Sequence, residues 1–269
     1  YFRIISSAAT RERDKFHIKK HLSKEIELKD VTDDYCVFGL FGPKSRLLMQ
    51  KLSKDDFSNK NFKFATSKYI KINDTQIWTQ RLSYVGELGY ELYVIKSEAK
   101  KIYKKIIEEG KKFNLSNCGM HALDTMRMES GFLHWGHDIS PEENQYEAEL
   151  AFTISYKKKI DFIGKDALER IKNKKQNKKF AIFVLKKNVP GKPLILHDEP
   201  IYLGDEIIGR TTSGNFSFNY KKNLAYGYIK NIFSETEFLH KDLYIEIEKI
   251  KYPAELLKKP LKENNYKNI

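Results

Sequence analysis

Along the chain, the period of the apolar positions changes several times. Residues 1–6 read as an extended strand, and Thr10 stands where it can cap a helix running to about Leu22. Residues 34–41 predict a short strand. Gly42-Pro43 then predicts a helix with proline in its first turn and Leu47, Leu48 and Leu52 on its inner side. Extended runs over 69–72 and 76–84 flank the tight-turn pair Asn73-Asp74, and another covers 90–95 after the glycines at 86 and 89. An antiparallel sheet is the simplest assembly of these runs. Ser97 is placed to cap a helix in which Ala99, Ile102, Tyr103, Ile106 and Ile107 recur at helical spacing until Gly110, and a further helix spans 119–129 before Gly131.

The run KNKKQNKK at 172–179 has no apolar period and divides two textures, which places the domain boundary there, between 1–172 and 178–269. Beyond it, short apolar strands at 180–185, 200–203, 206–211, 224–229 and 243–247, broken by Gly204-Asp205 and Ser213-Gly214, predict a small β-barrel or sandwich. The fold class is therefore α+β, with an antiparallel sheet and helices first and a small C-terminal β-barrel last.

A length of 269 residues fits two domains, and 41% apolar residues suffice for real cores. The longest apolar runs, such as 35–41, fall far short of the ~20 residues a membrane span needs, so no membrane partner is expected. The net charge of +13 raises nucleic acid as a partner. That charge is mostly lysine spread over the whole length, whereas phosphate and base recognition favours the arginine fork, so no nucleic acid is expected either. Cys36 and Cys118 lie far apart and outside any CxxC spacing, which suggests neither a disulfide framework nor a thiolate metal site and fits a reducing, cytoplasmic setting. Tyr1 is not an initiator methionine, and the chain is expected to begin inside a longer protein.

Two stretches carry candidate chemistry. In SYVGELGYE at 83–91, two glycines let the backbone turn sharply, so that Tyr84 before the corner and Glu91 after it can be presented near one mouth of the sheet. A ring beside a carboxylate suits a flat heterocycle with adjacent N–H donors; the same pattern also fits an ordinary hairpin with an exposed Glu and a core Tyr. In GMHALDTMRMESGFLHWGHDI at 119–139, helical spacing puts Met120, Leu123 and Arg127 on one stripe. Arg127 then needs a partner, either Asp124 one turn back, a carboxylate of the sheet, or an anion or carbonyl of a ligand. Trp135-Gly136 reads as a packing residue beside a close backbone approach, or as a wall of the same pocket. His121, His134, His137 and Asp138 lack the spacing of a metal site, and no metal is expected. Phosphate-binding glycine loops and a GxSxG elbow are absent from the sequence.

Together with SAATRERD at 7–14, DFIGKDAL at 161–168, GRTTSG at 209–214, LAYGYI at 224–229 and YPAE at 252–255, these segments resemble the folate-binding aminomethyltransferase family, which includes the glycine-cleavage T-protein and the C-terminal halves of dimethylglycine and sarcosine dehydrogenases. The resemblance runs through nearly the whole chain. It implies three lobes around a central hole that holds tetrahydrofolate, with the last lobe a small β-barrel. On matching positions it implies that Tyr84 lines the pterin pocket and Glu91 accepts hydrogen bonds from the aminopyrimidine edge. It further implies that Arg127 organises the ligand or those carboxylates, that Trp135 borders the site, and that Ser7 makes a polar contact where the family commonly has Asn. The family's catalytic aspartate is expected upstream of Tyr1, so no catalytic residue is assigned within the chain, and Asp33 and Asp34 are not substitutes. GELG at 86–89 and HWGHD at 134–138 are more similar to the dehydrogenase-attached version. In that version an upstream FAD domain oxidises an N-methyl amine and the folate module captures the carbon. The alternatives implied are a free T-protein served by a lipoylated carrier protein, and a folate- or RNA-binding module without catalysis.

Overall fold

The computed structural model describes residues 1–233, 238, 241–263 and 266–268. It divides into two compact units, Tyr1–Gly119 with the described part of 264–269, and Met120–Glu263.

In the first unit, the N-terminal residues 1–6 belong to no strand. A strand needs a neighbouring backbone, and residues 1–6 pair with none among the described residues. The expected strand is instead a strap tethered by side chains: the Arg3 guanidinium lies 4.1 Å from the Trp78 ring centroid, and Tyr1 Oη is 2.9 Å from Tyr69 Oη. Helix α1 (Arg11–His21) follows close to its expected span. Thr10 precedes it without capping the backbone; its hydroxyl bonds Asp14 instead. Strand β1 (Tyr35–Phe41) leads to α2 (Ser45–Leu52), which begins two residues after the proline. The buried positions of α2 are Ser45, Leu48, Met49 and Leu52, an i, i+3, i+4, i+7 stripe. Leu47, expected inside, is 53% exposed because Met49 completes that stripe in its place.

Strands β2 (Ser67–Ile72) and β3 (Thr75–Gln80) meet at the Asn73-Asp74 turn, where Asn73 takes φ +53°. Strand β4 (Gly89–Ile95) completes an antiparallel sheet of order β1-β4-β3-β2. Helix α3 (Lys96–Gly110) buries Ala99, Ile102 and Ile106 against the sheet face that carries Leu40, Ile70, Ile77, Leu92 and Val94. Gly110 closes α3 in right-handed geometry; a Cβ there would stand 2.3 Å from Leu115 Cδ2, so close approach is its function, and the left-handed residue that turns the chain is Asn114. The other face of the sheet points away from α3 and meets the N-terminal strap through Trp78 and Tyr69. Register sets Val37, Tyr93, Trp78 and Tyr69 in one row across it and Gly39, Glu91, Gln80 and Ser67 in the next.

The second unit opens with α4 (Met120–Glu129) and includes α5 (Lys165–Ile171), after which residues 172–177 turn and β5 (Lys178–Leu185) begins. Strands β6 (Pro200–Leu203), β7 (Glu206–Ser217), β8 (Lys222–Lys230), β9 (Leu243–Ile247) and β10 (Ile250–Leu257) close with β5 into a barrel of order β10-β5-β8-β7-β6-β9. Of the two architectures left open by the sequence, the barrel is the one formed. From Phe180 onward β5 is apolar at every position because both its faces are covered: Ala181, Phe183 and Leu185 fill the barrel, while Phe180, Ile182 and Val184 join Met128 of α4 outside it. Two expectations fail here. Ser213-Gly214 does not end β7, which continues through a bulge between Thr211 and Ser213. Strand β10 is an additional strand.

Candidate functional site

The corner at 83–89 is built by its glycines and by Ser83. Gly86 takes φ +66°, and a Cβ on Gly89 would lie 2.3 Å from the Phe41 ring and 2.6 Å from Leu82 O, so each glycine answers a different demand. Ser83 Oγ accepts from Glu87 N at 3.2 Å, and Leu88 O accepts from Gly42 N at 2.9 Å and Ser45 Oγ at 3.0 Å, tying the corner to the β1–α2 turn. Tyr84 is half-buried on this corner.

Two residues past Gly89, Glu91 points to the sheet face away from α3 and is half-buried. Its Oε2 accepts from the Tyr93 hydroxyl at 2.8 Å, and the Tyr93 oxygen accepts from Gln80 Nε2 at 3.0 Å. Burial, and then the bond to Glu91, push the Tyr93 hydroxyl up from its ordinary pKa, so the phenol stays protonated at neutral pH. Trp78 lies against Tyr93 with centroids 4.6 Å apart. The result is a carboxylate held by a neutral donor beside two aromatic rings. The Ser7 carbonyl accepts from Thr10 N at 3.0 Å, while the Thr10 hydroxyl, 3.2 Å from it, gives its one proton to Asp14.

In the second unit, α4 lies against β7 and β8 with polar residues facing polar residues. Strand β7 directs Ser213, Asn215 and Ser217 at the helix, where they meet Arg127, Asp124 and Glu129 respectively. Arg127 is 1% exposed. Its Nε donates to Asp124 Oδ1 at 2.7 Å, its Nη2 to Ser213 Oγ at 2.7 Å, and its Nη1 to Phe132 O at 3.2 Å and to Asp138 Oδ2. Asp138 is fully buried and also accepts from His134 N at 2.9 Å, Thr212 Oγ1 at 2.6 Å and Ser213 Oγ at 2.7 Å. The single Ser213 proton goes to Asp138, leaving its oxygen to accept from Arg127. A buried charge pair is tolerable only when it is so fully bonded. The stripe expected around Arg127 differs at its start, since Met120 is 72% exposed.

Trp135 sits half-buried in the turn that follows, bridged to Ile139, with the His134 and His137 rings 4.6 Å apart. Burial, with help from His137 and Arg127, lowers the His134 pKa. Among the described residues, no group of three His, Cys, Asp or Glu is arranged to hold a metal ion.

Tyr84, Glu91 and Ser7 thus belong to the first unit, and Arg127 and Trp135 to the second. Gln80, Tyr93 and Ser213 were missed as site residues. The alternation Thr211, Ser213, Asn215, Ser217 is a legible polar strand face, and Tyr93 follows Glu91 at the strand period; nothing local marks Gln80, which is brought in by register alone.

An antiparallel sheet backed by helices, followed by a closed six-stranded barrel, is a mixed α+β architecture of aminomethyltransferase type. Residues 1–158 match the family model described as the GCVT N-terminal domain, and residues 178–262 match the glycine cleavage T-protein C-terminal barrel domain. The chain belongs to the glycine-cleavage T-protein (aminomethyltransferase) family. It is 33% identical to mitochondrial dimethylglycine dehydrogenase of Rattus norvegicus over 88% of its own length but only 27% of that protein's. It is 31% identical to an aminomethyltransferase of Alkaliphilus metalliredigens (strain QYMF), over 99% of this chain and 70% of the relative. In fold it is similar to glycine cleavage system aminomethyltransferase T from Bartonella henselae, with a TM-score of 0.79 at 18% identity, covering 96% of this chain and 68% of that one. No helix among the described residues is long and apolar enough to cross a membrane.

Proposed function

We propose that this aminomethyltransferase-type domain binds tetrahydrofolate and serves as the folate-binding portion of a dimethylglycine- or sarcosine-dehydrogenase-like flavoprotein. The observation that carries the folate reading is the half-buried Glu91 carboxylate on the sheet face away from α3, with Tyr93 and Trp78 beside it. The carboxylate fits the group: the edge of a pterin offers adjacent N–H donors, and a carboxylate accepts both. Bound tetrahydrofolate would supply the nitrogen that accepts the one-carbon unit. Glu91 would hold the ring's edge, Tyr84 would contribute aromatic surface, and Ser7 a polar contact. Arg127, with its donors committed to Asp124, Asp138 and Ser213, would act as an organiser of α4 and the 134–139 turn. The contribution to rate would be positioning rather than proton transfer by a residue of this chain.

The similarity to rat dimethylglycine dehydrogenase over 88% of the chain, together with GELG at 86–89 and HWGHD at 134–138, supports the flavoprotein reading. In that reading FAD is bound by a separate domain, and the folate-binding part covers 1–172 with the barrel at 178–269. The free Cys36 and Cys118 support a reducing compartment such as the cytoplasm. A second reading, a free aminomethyltransferase served by a lipoylated carrier protein, is supported by the 70% coverage of the Alkaliphilus enzyme. Any sequence found upstream of Tyr1 would discriminate: several hundred residues with a dinucleotide-binding glycine loop favour the flavoprotein, and fewer than about a hundred favour the transferase.

Calorimetric titration of 5-formyl-tetrahydrofolate tests the folate site. A hydrogen bond to a charged group contributes about 1.5–3 kcal/mol, so Glu91→Ala should weaken binding by roughly 10- to 100-fold. Equal binding by both proteins removes Glu91 from the site.

A further inference from the structure

The sheet face away from α3 holds a chain of three side chains whose proton directions are fixed by chemistry. Gln80 stands directly across from Glu91 in the β3–β4 register, yet its amide reaches diagonally to the Tyr93 oxygen. An amide nitrogen can only donate, so the Tyr93 oxygen accepts from Gln80 and its one proton must turn to Glu91. The reverse amide orientation would draw the phenol proton to Gln80 and leave the Tyr93 and Glu91 oxygens facing each other without a hydrogen between them. The carboxylate itself therefore selects the orientation. The Tyr93 ring is kept in place by Trp78, on which Arg3 is stacked at 4.1 Å.

The terminal torsion of a glutamate is broad and nearly two-fold, so an isolated carboxylate presents its plane in many directions. A ligand with two adjacent N–H donors can bond both oxygens only when that plane faces it. Freezing the torsion before binding removes an ordering cost from the association. We propose that Gln80 and Tyr93 form a positioning relay that fixes the carboxylate plane of Glu91, so that it meets a paired N–H donor edge, such as the 2-amino and N3 groups of a pterin. The relay rests on the folate reading above and refines it. Gln80 and Tyr93 are positioning residues, acting through Glu91.

The test uses the whole chain as wild type, Gln80→Glu, Gln80→Leu and Tyr93→Phe. Each is titrated calorimetrically with 5-formyl-tetrahydrofolate and with its 2-desamino analogue, which lacks one of the paired donors, and thermal midpoints are recorded alongside. Tyr93→Phe removes the hydrogen bond to the carboxylate and should weaken 5-formyl-tetrahydrofolate by about 5- to 10-fold, the scale of one charge-assisted hydrogen bond in part compensated by water. Gln80→Glu keeps the size of the side chain but replaces a donor by an acceptor that competes for the phenol proton; it should cost at least as much, and more than Gln80→Leu at about 3-fold. The 2-desamino analogue should change by less than about 2-fold in every variant, since a single donor does not need the plane fixed. A merely structural role would weaken both ligands together and would make Leu worse than the isosteric Glu, and either result overturns the relay. Wild-type binding of 5-formyl-tetrahydrofolate with Gln80→Glu unchanged overturns the relay alone. A wild-type chain that binds neither compound overturns the folate reading and the relay with it.

Discussion

Asp138 shows how much of a site is decided by single atoms. Read along the chain it is one acidic residue after a pair of histidines; folded, it is a fully buried anion that gathers Arg127, Ser213, Thr212 and the His134 amide. The attraction within the Arg127–Asp138 pair offsets two desolvation costs, and removing one partner leaves the other cost uncovered. Asp138→Ala should therefore lower stability by about 3–5 kcal/mol, measured by urea unfolding followed by circular dichroism. A loss below about 1 kcal/mol would show that water or Asp124 takes over the guanidinium. The need of Arg127 for a carboxylate was legible from its place on an apolar helix, and Asp124 was a legible candidate. Asp138 and Ser213 were not, because a turn and a distant strand deliver them.

At the level of elements, pattern reading succeeded where one rule acts alone and failed where two compete. Strands β6 and β9 fall within their predicted bounds because turn residues flank clear apolar runs. Strand β10 carries Pro253, which speaks against a barrel strand. It is accommodated because β10 changes partner at that point, pairing with β9 up to Pro253 and with β5 from Ala254, so no ladder bond is lost there. Gly214 likewise read as a break, yet its side-chain-free face is what lets Ile195 approach, a contact in which an added Cβ would lie 2.3 Å from Ile195 Cγ2. Gly209 is the most constrained of the β7 glycines: a Cβ would stand 2.0 Å from the Tyr228 carbonyl oxygen, and that neighbour is backbone. Gly209→Ala should cost about 1–3 kcal/mol or more, whereas Gly204→Ala, at φ +61° in open space, should cost about 1 kcal/mol. Urea midpoints of the two variants check the ranking, and equal midpoints would mean that β8 yields easily at Tyr228.

For the whole molecule, the net charge of +13 is the property most easily mistaken for a function. Lysines spread along the chain give a general attraction to polyanions without a recognition stripe. Binding to a random single-stranded oligonucleotide should therefore be detectable at low salt and fall steeply, by roughly 0.7 power of ten per phosphate contact for each tenfold rise in salt. Filter binding across a salt series measures this slope. Binding that survives physiological ionic strength would reinstate nucleic acid as a partner.

The sequence by itself determined the α+β class, the sheet hairpin at Asn73, the place of five of the six barrel strands and the family, because alternation, turn residues and linked motifs are local properties that survive translation into structure. Tertiary structure alone decided which atoms surround the chemistry. Gln80 comes beside Tyr93 and Glu91 through strand register, and Ser213 and Asp138 come beside Arg127 through the packing of a helix on a barrel. Hydrogen bonds require distances near 3 Å between residues far apart in the chain, and no periodicity in a sequence encodes that distance.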